Sequence, residues 1–155
     1  MTTQQTNGVI NSGIAGRRTD YLFRLSLKAL IVDDQGRVLL VKEAGRDWWD
    51  LPGGGLDHGE SIAEGLAREL AEEVNLRGDF SFEPVHIEDP KLLKHINAYQ
   101  ARVFVRLCPE NMNFSPGEDG DEVAFLDVAK MSDEQVHARK EIINLVKKRE
   151  RLADG

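Results

Sequence analysis

One stretch, residues 53–76, constrains the fold and the chemistry of this chain more than any other. Its sequence is GGGLDHGESIAEGLARELAEEVNL. Ser61, followed three residues later by Glu64, forms a capping box, which predicts that a helix begins here. Apolar residues then recur at every fourth position, as on the buried face of a helix: Ile62, Leu66, Leu70 and Val74. The stretch therefore predicts a glycine-rich turn followed by an amphipathic helix.

The predicted helix carries acidic residues on a second face. Glu69, Glu72 and Glu73 are spaced i, i+3 and i+4, so their side chains converge. Three like charges repel one another unless a cation lies among them, and carboxylate oxygens are the ligands that Mg²⁺ and Mn²⁺ prefer. The alternative is a solvated acidic face paired with Lys or Arg. We favour a metal site.

The stretch resembles the Nudix box, whose pattern is G-x5-E-x7-R-E-U-x-E-E-x-G-U, with U an aliphatic residue. Gly54, Glu60, the run from position 68 to 73 (RELAEE) and Leu76 match this pattern. Asn75 stands where the family has glycine, and asparagine is the next most tolerated residue in the left-handed conformation that ends a helix. By this resemblance the chain is identified as a member of the Nudix hydrolase family.

The resemblance implies roles for the residues of the box. It implies that Mg²⁺, with Mn²⁺ as a substitute, is bound by the three glutamates Glu69, Glu72 and Glu73. The backbone carbonyl of Gly53 often completes the metal shell in this family, and one glutamate doubles as the general base; which one stays open. Arg68 resembles the family arginine that pairs with Glu60, and we interpret this pair as holding the loop against the helix. Direct phosphate contact by Arg68 is the alternative.

A further carboxylate from outside the box often joins the metal site in this family. Four acids in a later loop are available: Glu118, Asp119, Asp121 and Glu122. Glu122 is favoured because it immediately precedes a predicted strand, which could aim its side chain at a cleft. For the other three, a solvated loop position is the simpler interpretation.

Candidate substrate-binding residues lie in and just before the box: Arg46, Trp49, Gly54 and His58. Adjacent residues on a strand point to opposite faces, so at most one of Trp48 and Trp49 should line a cleft. A Trp49 ring could stack on a nucleobase or pack in the core, and the sequence does not decide between the two.

The rest of the chain predicts an α+β fold. Strands are predicted at 23–32 and 37–41, joined as a hairpin by the turn signal DDQG, and at 80–87, 95–107 and 122–128. A closing helix is predicted over 132–149 with Ser132 as its N-cap. Strands with two helices predict a mixed β-sheet in an α/β/α sandwich, which is the fold that the Nudix resemblance implies. We expect a flexible tail at 1–18, one domain at 19–151 and a C-terminal tail at 152–155.

Composition narrows the classes of protein to which the chain can belong. The 155 residues carry a net charge of −7, which argues against a nucleic-acid binder held by a basic surface. Cys108 is the single cysteine, so no intramolecular disulfide can form. The sequence contains neither a secretory leader pattern nor an apolar run of membrane-spanning length. We expect a cytoplasmic protein with no membrane or nucleic-acid partner.

Together these features predict a Mg²⁺-dependent hydrolase that cleaves the pyrophosphate linkage of a nucleoside diphosphate joined to another moiety. The substrate could be a nucleotide sugar such as ADP-ribose or a nucleoside triphosphate. Pro90 resembles a downstream proline of ADP-ribose-cleaving members, although a strand-breaking Asp-Pro explains it equally well. A nucleotide-sensing or binding module with weak catalysis is the alternative from another class. The fold frequently forms homodimers, and the sequence leaves the oligomeric state open.

Overall fold

The computed structural model describes residues 8–10, 16 and 20–153. Within them the elements in chain order are β1 (Val9–Ile10), β2 (Asp20–Tyr21), β3 (Arg24–Leu30), β4 (Val38–Glu43), β5 (Gly53–Gly55), α1 (Ile62–Val74), β6 (Phe80–Ile87), β7 (Lys91–Leu93), β8 (Ala98–Pro109), β9 (Gly120–Leu126), a short 3₁₀ helix (Val128–Lys130) and α2 (Arg139–Ala153).

A mixed sheet forms the centre of the described residues. Its strand order is β5-β3-β8-β6, with β7 also pairing with β8. Strands β3 and β8 run parallel, whereas β5, β6 and β7 are antiparallel to their neighbours. Strands β4 and β9 pair antiparallel as a separate two-stranded sheet. The glycines of β5 therefore lie at an edge of the central sheet.

The two α-helices cover opposite faces of β3. Leu27 and Ala29 of that strand share one buried cluster with the α1 residues Leu66 and Leu70. Leu30, which points to the other face, shares a second cluster with residues of α2 and with Phe104 of β8. This arrangement confirms the predicted mixed sheet between helices. The apolar stripe of α1 is buried except at its first member, Ile62, which is 36% exposed.

The predicted hairpin of strands 23–32 and 37–41 is wrong beyond its turn. Near the turn, Val32 bridges Val38 and the Leu39 amide donates to the Ile31 carbonyl at 2.9 Å. Further along, β3 pairs with β5 and β8, while β4 pairs with β9. Most residues of both strands are buried whichever face they point to, so local pattern could not show that the strands diverge into separate sheets.

The predicted start of the closing helix is also wrong, because α2 begins at Arg139 and not after Ser132. The backbone of Gln135 and His137, just before α2, forms hydrogen bonds with Trp49 instead of continuing a helix. The Trp49 amide donates to the Gln135 carbonyl, and the His137 amide donates to the Trp49 carbonyl, each at 2.8 Å. Ala138 then adopts a left-handed φ of 54°. Because of these long-range bonds, the helix begins about two turns later in the chain than predicted.

Regular elements extend into both of the predicted tails. Within the predicted flexible tail at 1–18, Val9–Ile10 forms a strand paired with Asp20–Tyr21, and the Leu22 amide donates to the Gly8 carbonyl at 2.5 Å. Most of the remaining tail lies outside the described residues. At the other end of the chain, α2 continues through Ala153, into the predicted tail at 152–155. Strand β6 has the predicted bounds, and Asp89-Pro90 separates it from β7. Of the helices described, none is both long and apolar enough to cross a membrane.

Candidate metal and catalytic site

Gly53 opens the site at the sheet edge, where β5 pairs with β3. Its φ is 139°, and a Cβ built there would lie 1.9 Å from the Leu27 carbonyl oxygen. Only glycine can occupy this position without moving the strand. The Gly53 amide donates to Glu73 Oε2 at 3.1 Å, so the edge strand is bonded directly to helix α1.

The caps of α1 are those that the sequence predicts. Ser61 Oγ accepts a hydrogen bond from the Glu64 amide at 3.1 Å. Asn75 ends the helix in the left-handed conformation, with φ 56° and ψ 36°, and its amide bonds to the Leu70 carbonyl. Asparagine thus serves in place of the family glycine, and the helix presents its glutamates in the expected register.

Glu69 lies against the second glycine of β5. A Cβ built on Gly54 would fall 2.6 Å from Glu69 Oε1, so this carboxylate occupies the space that a side chain at Gly54 would fill. Arg68 Nη1 donates to the same Oε1 at 2.9 Å. The role of Gly54 is therefore to leave room for a charged group at the sheet edge.

Arg68 joins the loop of the box to the helix. Its Nε and Nη2 donate to the two carboxylate oxygens of Glu60, each at 2.8 Å, and Nη2 also donates to the Gly55 carbonyl at 3.0 Å. Glu60 Oε1 in turn accepts the Asp57 amide at 2.8 Å. The fork geometry is the bidentate pairing that the Nudix resemblance implies. It holds residues 55–60 over the N-terminal half of α1.

The charges of the site perturb one another strongly. The hydrogen bonds from Arg68 and the Asp57 amide lower the pKa of Glu60 to about 2. Burial raises the pKa of Glu73 to about 8, opposed by the nearby charge of Lys28 and by the Gly53 amide. Burial and the charge of Glu69 also raise the pKa of Glu72. The helix therefore holds acids whose charged forms are destabilised in the absence of a cation.

The donor set fits a hard divalent cation. Glu69, Glu72 and Glu73 supply carboxylate oxygens beside the Gly53 backbone, and Glu73 is 4% exposed with its carboxylate accepting the Gly53 amide. Within the described ranges, no three His, Cys, Asp or Glu side chains already converge with ligand spacing. Glu69 and Glu73 are turned toward Arg68 and the Gly53 amide, respectively. Binding Mg²⁺ would therefore require these side chains to rotate.

The structure does not bring Glu122 into contact with these glutamates. It lies opposite Lys42 in the β4–β9 pair, and its Oε2 is 3.6 Å from Lys42 Nζ on the surface. Asp119 is better placed, because its amide donates to the Glu72 carbonyl at 2.9 Å and its charge raises the pKa of Glu72. Sequence reasoning assigned Asp119 to a solvated loop.

Sequence reasoning also missed Glu43, at the end of β4. Its charge contributes to the raised pKa of Glu73, so it lies near the buried end of the acidic cluster. A register shift between Lys42 and Glu43 turns this end of the strand. Since β4 and α1 are far apart in sequence, no local motif could have indicated their proximity.

Two of the four candidate substrate residues, Trp49 and Arg46, contact groups other than the glutamates of α1. Trp49 is half-buried and packs against the cluster that contains α2, with Lys42 Nζ 5.1 Å from its ring centroid. Arg46 pairs with Glu43 at 3.1 Å and stacks over Trp48 at 5.4 Å. Gly54 contacts Glu69 directly, as described above. In the structure Trp49 therefore contributes to core packing, and stacking on a substrate stays a prediction.

His58, the fourth candidate, is exposed and lines a cleft beside the loop of the box. The cleft has a volume of about 490 Å³. Its walls come from the start of β3, the residues before β8 and the loop at 56–60, including Phe23, Arg24, Glu60 and Ile96. Glu60 thus contacts both this cleft and, through Arg68, the carboxylate cluster. A substrate in the cleft would lie next to the loop that Arg68 anchors.

The described fold and the box residues agree with a known protein family. A family model described as NUDIX domain matches residues 22–146. The chain belongs to the Nudix family. The matched residues fall within the domain predicted at 19–151, and they contain the whole box together with every candidate site residue.

Relatives of this Nudix chain include enzymes and proteins of known structure. An RNA pyrophosphohydrolase from Ruthia magnifica subsp. Calyptogena magnifica is 41% identical over 75 residues, 47% of this chain and 40% of that relative. A MutT NUDIX hydrolase from Burkholderia pseudomallei has a TM-score of 0.65 at 18% identity, covering 81% of this chain and 98% of that chain. An ADP-ribose pyrophosphatase from Streptococcus suis has a TM-score of 0.58 at 23% identity, covering 84% and 93%. The two structures show the shared Nudix fold; the chain spans about two fifths of the RNA pyrophosphohydrolase.

Proposed function

We propose that this Nudix chain is a Mg²⁺-dependent pyrophosphohydrolase. In this proposal it cleaves the linkage of a nucleoside diphosphate joined to another moiety, either a nucleotide sugar such as ADP-ribose or a nucleoside triphosphate. The observation that supports it most is the placement of Glu69 and Glu73 against the β5 glycines, with Arg68 bonded between Glu60 and Glu69. Mn²⁺ would substitute for Mg²⁺ because it accepts the same oxygen ligands.

The chain's own residues would divide the work of hydrolysis. Glu69, Glu72, Glu73 and the Gly53 carbonyl would hold Mg²⁺, which supplies charge neutralisation at the phosphoryl oxygens and activation of water. Arg68 orients Glu69 and fixes the loop at 55–60. One glutamate would accept the proton of the attacking water, and the fully buried Glu73 is the least accessible of the three. Of the loop acids, Asp119 is the better candidate for support than Glu122.

A second substrate class is the triphosphorylated 5′ end of an RNA. Its support is the name of the relative from Ruthia magnifica, RNA pyrophosphohydrolase. The net charge of −7 argues against extended contact with an RNA backbone, as predicted from the sequence. Attack on a terminal phosphate needs no such contact, so both substrate classes require testing.

A nucleotide-sensing module is the competing function. Loss of the box glutamates would favour it, but Glu69, Glu72 and Glu73 are all present in this chain. We further propose a cytoplasmic location, consistent with a single exposed cysteine that forms no disulfide within the chain. A homodimer, frequent in this fold, also remains a proposal.

A substrate panel tests the proposed activity. Purified protein is incubated with Mg²⁺ or Mn²⁺ and ADP-ribose, other nucleotide sugars, normal and oxidised (d)NTPs, dinucleoside polyphosphates and a 5′-triphosphorylated RNA oligonucleotide. Products are separated by chromatography. Metal-dependent release of a nucleotide, pyrophosphate or phosphate from one class is the expected result. Binding of a nucleotide without turnover under either metal would favour the sensing module.

A further inference from the structure

Lys28 is a buried lysine outside the Nudix box. It lies in the middle of β3, and the residue is 7% exposed. Lysine is almost never buried to this extent unless it is paired, because removing an ammonium group from water is costly. Its partner is Asp50, which is 8% exposed. A buried ion pair of this kind commonly contributes specific geometry rather than stability, which raises the question of what it fixes.

The Lys28 side chain contacts the segment that leads into β5. Its Nζ donates to Asp50 Oδ2 at 3.1 Å and to the Leu51 carbonyl at 3.3 Å. The other carboxylate oxygen of Asp50 accepts the Leu51 amide at 2.7 Å. The ammonium and the carboxylate therefore fix both polar groups of Leu51.

The backbone of Lys28 contacts the far end of the same segment. Lys28 is the register partner of Gly53 in the β3–β5 pair, and the adjacent Ala29 amide donates to the Pro52 carbonyl at 2.9 Å. One residue thus binds the segment at Asp50–Leu51 through its side chain and at Gly53 through its strand. The chain between these points cannot shift along β3 without breaking one of the two sets of bonds.

Gly53 is where this segment meets the acidic helix. Its amide binds Glu73 Oε2, and its carbonyl is the expected backbone ligand of the proposed metal site. We propose that Lys28 and Asp50 are positioning residues for that site: their buried ion pair fixes the segment from Asp50 to Gly53 so that the Gly53 backbone meets Glu73. This inference rests on the proposed metal-dependent function and assigns neither residue a contact with substrate.

The test compares variants by direct Mn²⁺ binding and by kinetics. Mn²⁺ dissociation constants are measured from the electron paramagnetic resonance signal of free Mn²⁺, with folding checked by circular dichroism. Lys28→Met removes the ammonium and leaves Asp50 unpaired, which could unfold the protein. The decisive variant is therefore the double substitution Lys28→Met with Asp50→Leu, which replaces the pair by apolar side chains. Lys28→Arg keeps the cation and is the conservative rescue.

We expect the folded double variant to bind Mn²⁺ about tenfold more weakly, as when an outer partner of a metal ligand is removed. Its kcat at saturating metal should fall about tenfold, while KM for substrate changes less than about threefold. Lys28→Arg should recover most of the affinity. A double variant that folds and matches wild-type Mn²⁺ affinity and kcat would overturn the inference.

A partly buried ion pair elsewhere in the described residues provides the matched control. Arg102 and Glu88 have side-chain exposures of 13% and 12%, against 8% and 11% for the proposed pair, and they lie outside the segment from Asp50 to Gly53. The double substitution Arg102→Met with Glu88→Leu should leave the Mn²⁺ dissociation constant unchanged. If both double variants lost Mn²⁺ affinity equally, the loss would reflect general destabilisation of the protein, and the inference would be overturned. Wild-type protein that binds no Mn²⁺ would instead refute the proposed function itself.

Discussion

The same substitution should have different effects at the two adjacent glycines Gly53 and Gly54 of β5: a loss of activity at one and a loss of stability at the other. At Gly54 the added Cβ would lie 2.6 Å from Glu69 Oε1. The carboxylate must retreat by roughly 0.8 Å to reach an ordinary van der Waals distance. Since Glu69 is a flexible side chain, it can do so without disturbing the backbone. Gly54→Ala should therefore displace one proposed metal ligand and leave the fold intact.

The expected magnitude follows from that displacement. A misplacement of about 1 Å in a catalytic constellation costs on the order of 10²-fold in rate, or about 2.7 kcal/mol of activation free energy. The free energy of unfolding should change by less than about 1 kcal/mol, because the Arg68–Glu69 pair is partly exposed and alanine reduces the entropy of the unfolded chain.

Gly53→Ala is the contrasting variant. Its Cβ would lie 1.9 Å from the Leu27 carbonyl oxygen, at a φ of 139° that alanine rarely adopts. It should lower the free energy of unfolding by about 3 kcal/mol or more. Urea denaturation gives the stabilities of both variants, and initial rates with Mg²⁺ give kcat. Wild-type kcat in Gly54→Ala, or a loss of several kcal/mol of stability in that variant, would refute this account of β5.

Three further predictions concern the helix, the loop and the tryptophans. Because the pKa of Glu60 is lowered to about 2 from 4.5, its pairing with Arg68 stabilises the fold above about pH 4.5, and this stabilisation is lost as the pH falls toward 2. In urea titrations, the difference in unfolding free energy between wild type and Glu60→Gln should therefore shrink over that pH range. A difference that stays constant would contradict this prediction. The pKa of Glu73 is raised to about 8, so metal-free wild type in EDTA should lose stability as the pH rises from 4.5 to 8. Glu73→Gln should avoid this loss, which is about a few kcal/mol, and thermal unfolding at both pH values would show the difference. Trp49→Leu should lower the free energy of unfolding by about 1 to 3 kcal/mol and leave KM unchanged. Trp48 is 40% exposed, so Trp48→Leu should lower it by less than about 1 kcal/mol. A large rise in KM for Trp49→Leu would instead support a stacking role.

The parts of the site that lie close together in sequence could be predicted from it. The capping serine, the left-handed Asn75 and the Arg68–Glu60 pair all lie within one loop and one helix, where spacing determines which side chains meet. The helix register also placed the three glutamates on one face. These features depend on bonds between residues that are near neighbours in the chain.

The parts that depend on distant strands could not be predicted. The charge of Glu43, at the end of β4, acts on Glu73 of α1, and Lys28 meets Asp50 because β3 runs beside the segment before β5. The preference for Glu122 stays a prediction: its position before a strand gave no information about which face it would occupy, and in the structure it lies opposite Lys42. The start of α2 was misplaced because backbone bonds to Trp49 outweigh the local cap signal at Ser132.

The central claim is that the glutamates of α1 hold a catalytic divalent cation. Its most direct test is the initial rate of wild type, Glu72→Gln and Glu73→Gln across a Mg²⁺ titration, on the substrate that the panel identifies. Each substitution keeps the side-chain volume and removes the charge of one proposed metal ligand. We predict that kcat falls about 10³-fold or more in both variants while circular dichroism remains native. Activity like that of the wild type in both variants, at every Mg²⁺ concentration, would contradict the assignment of the site.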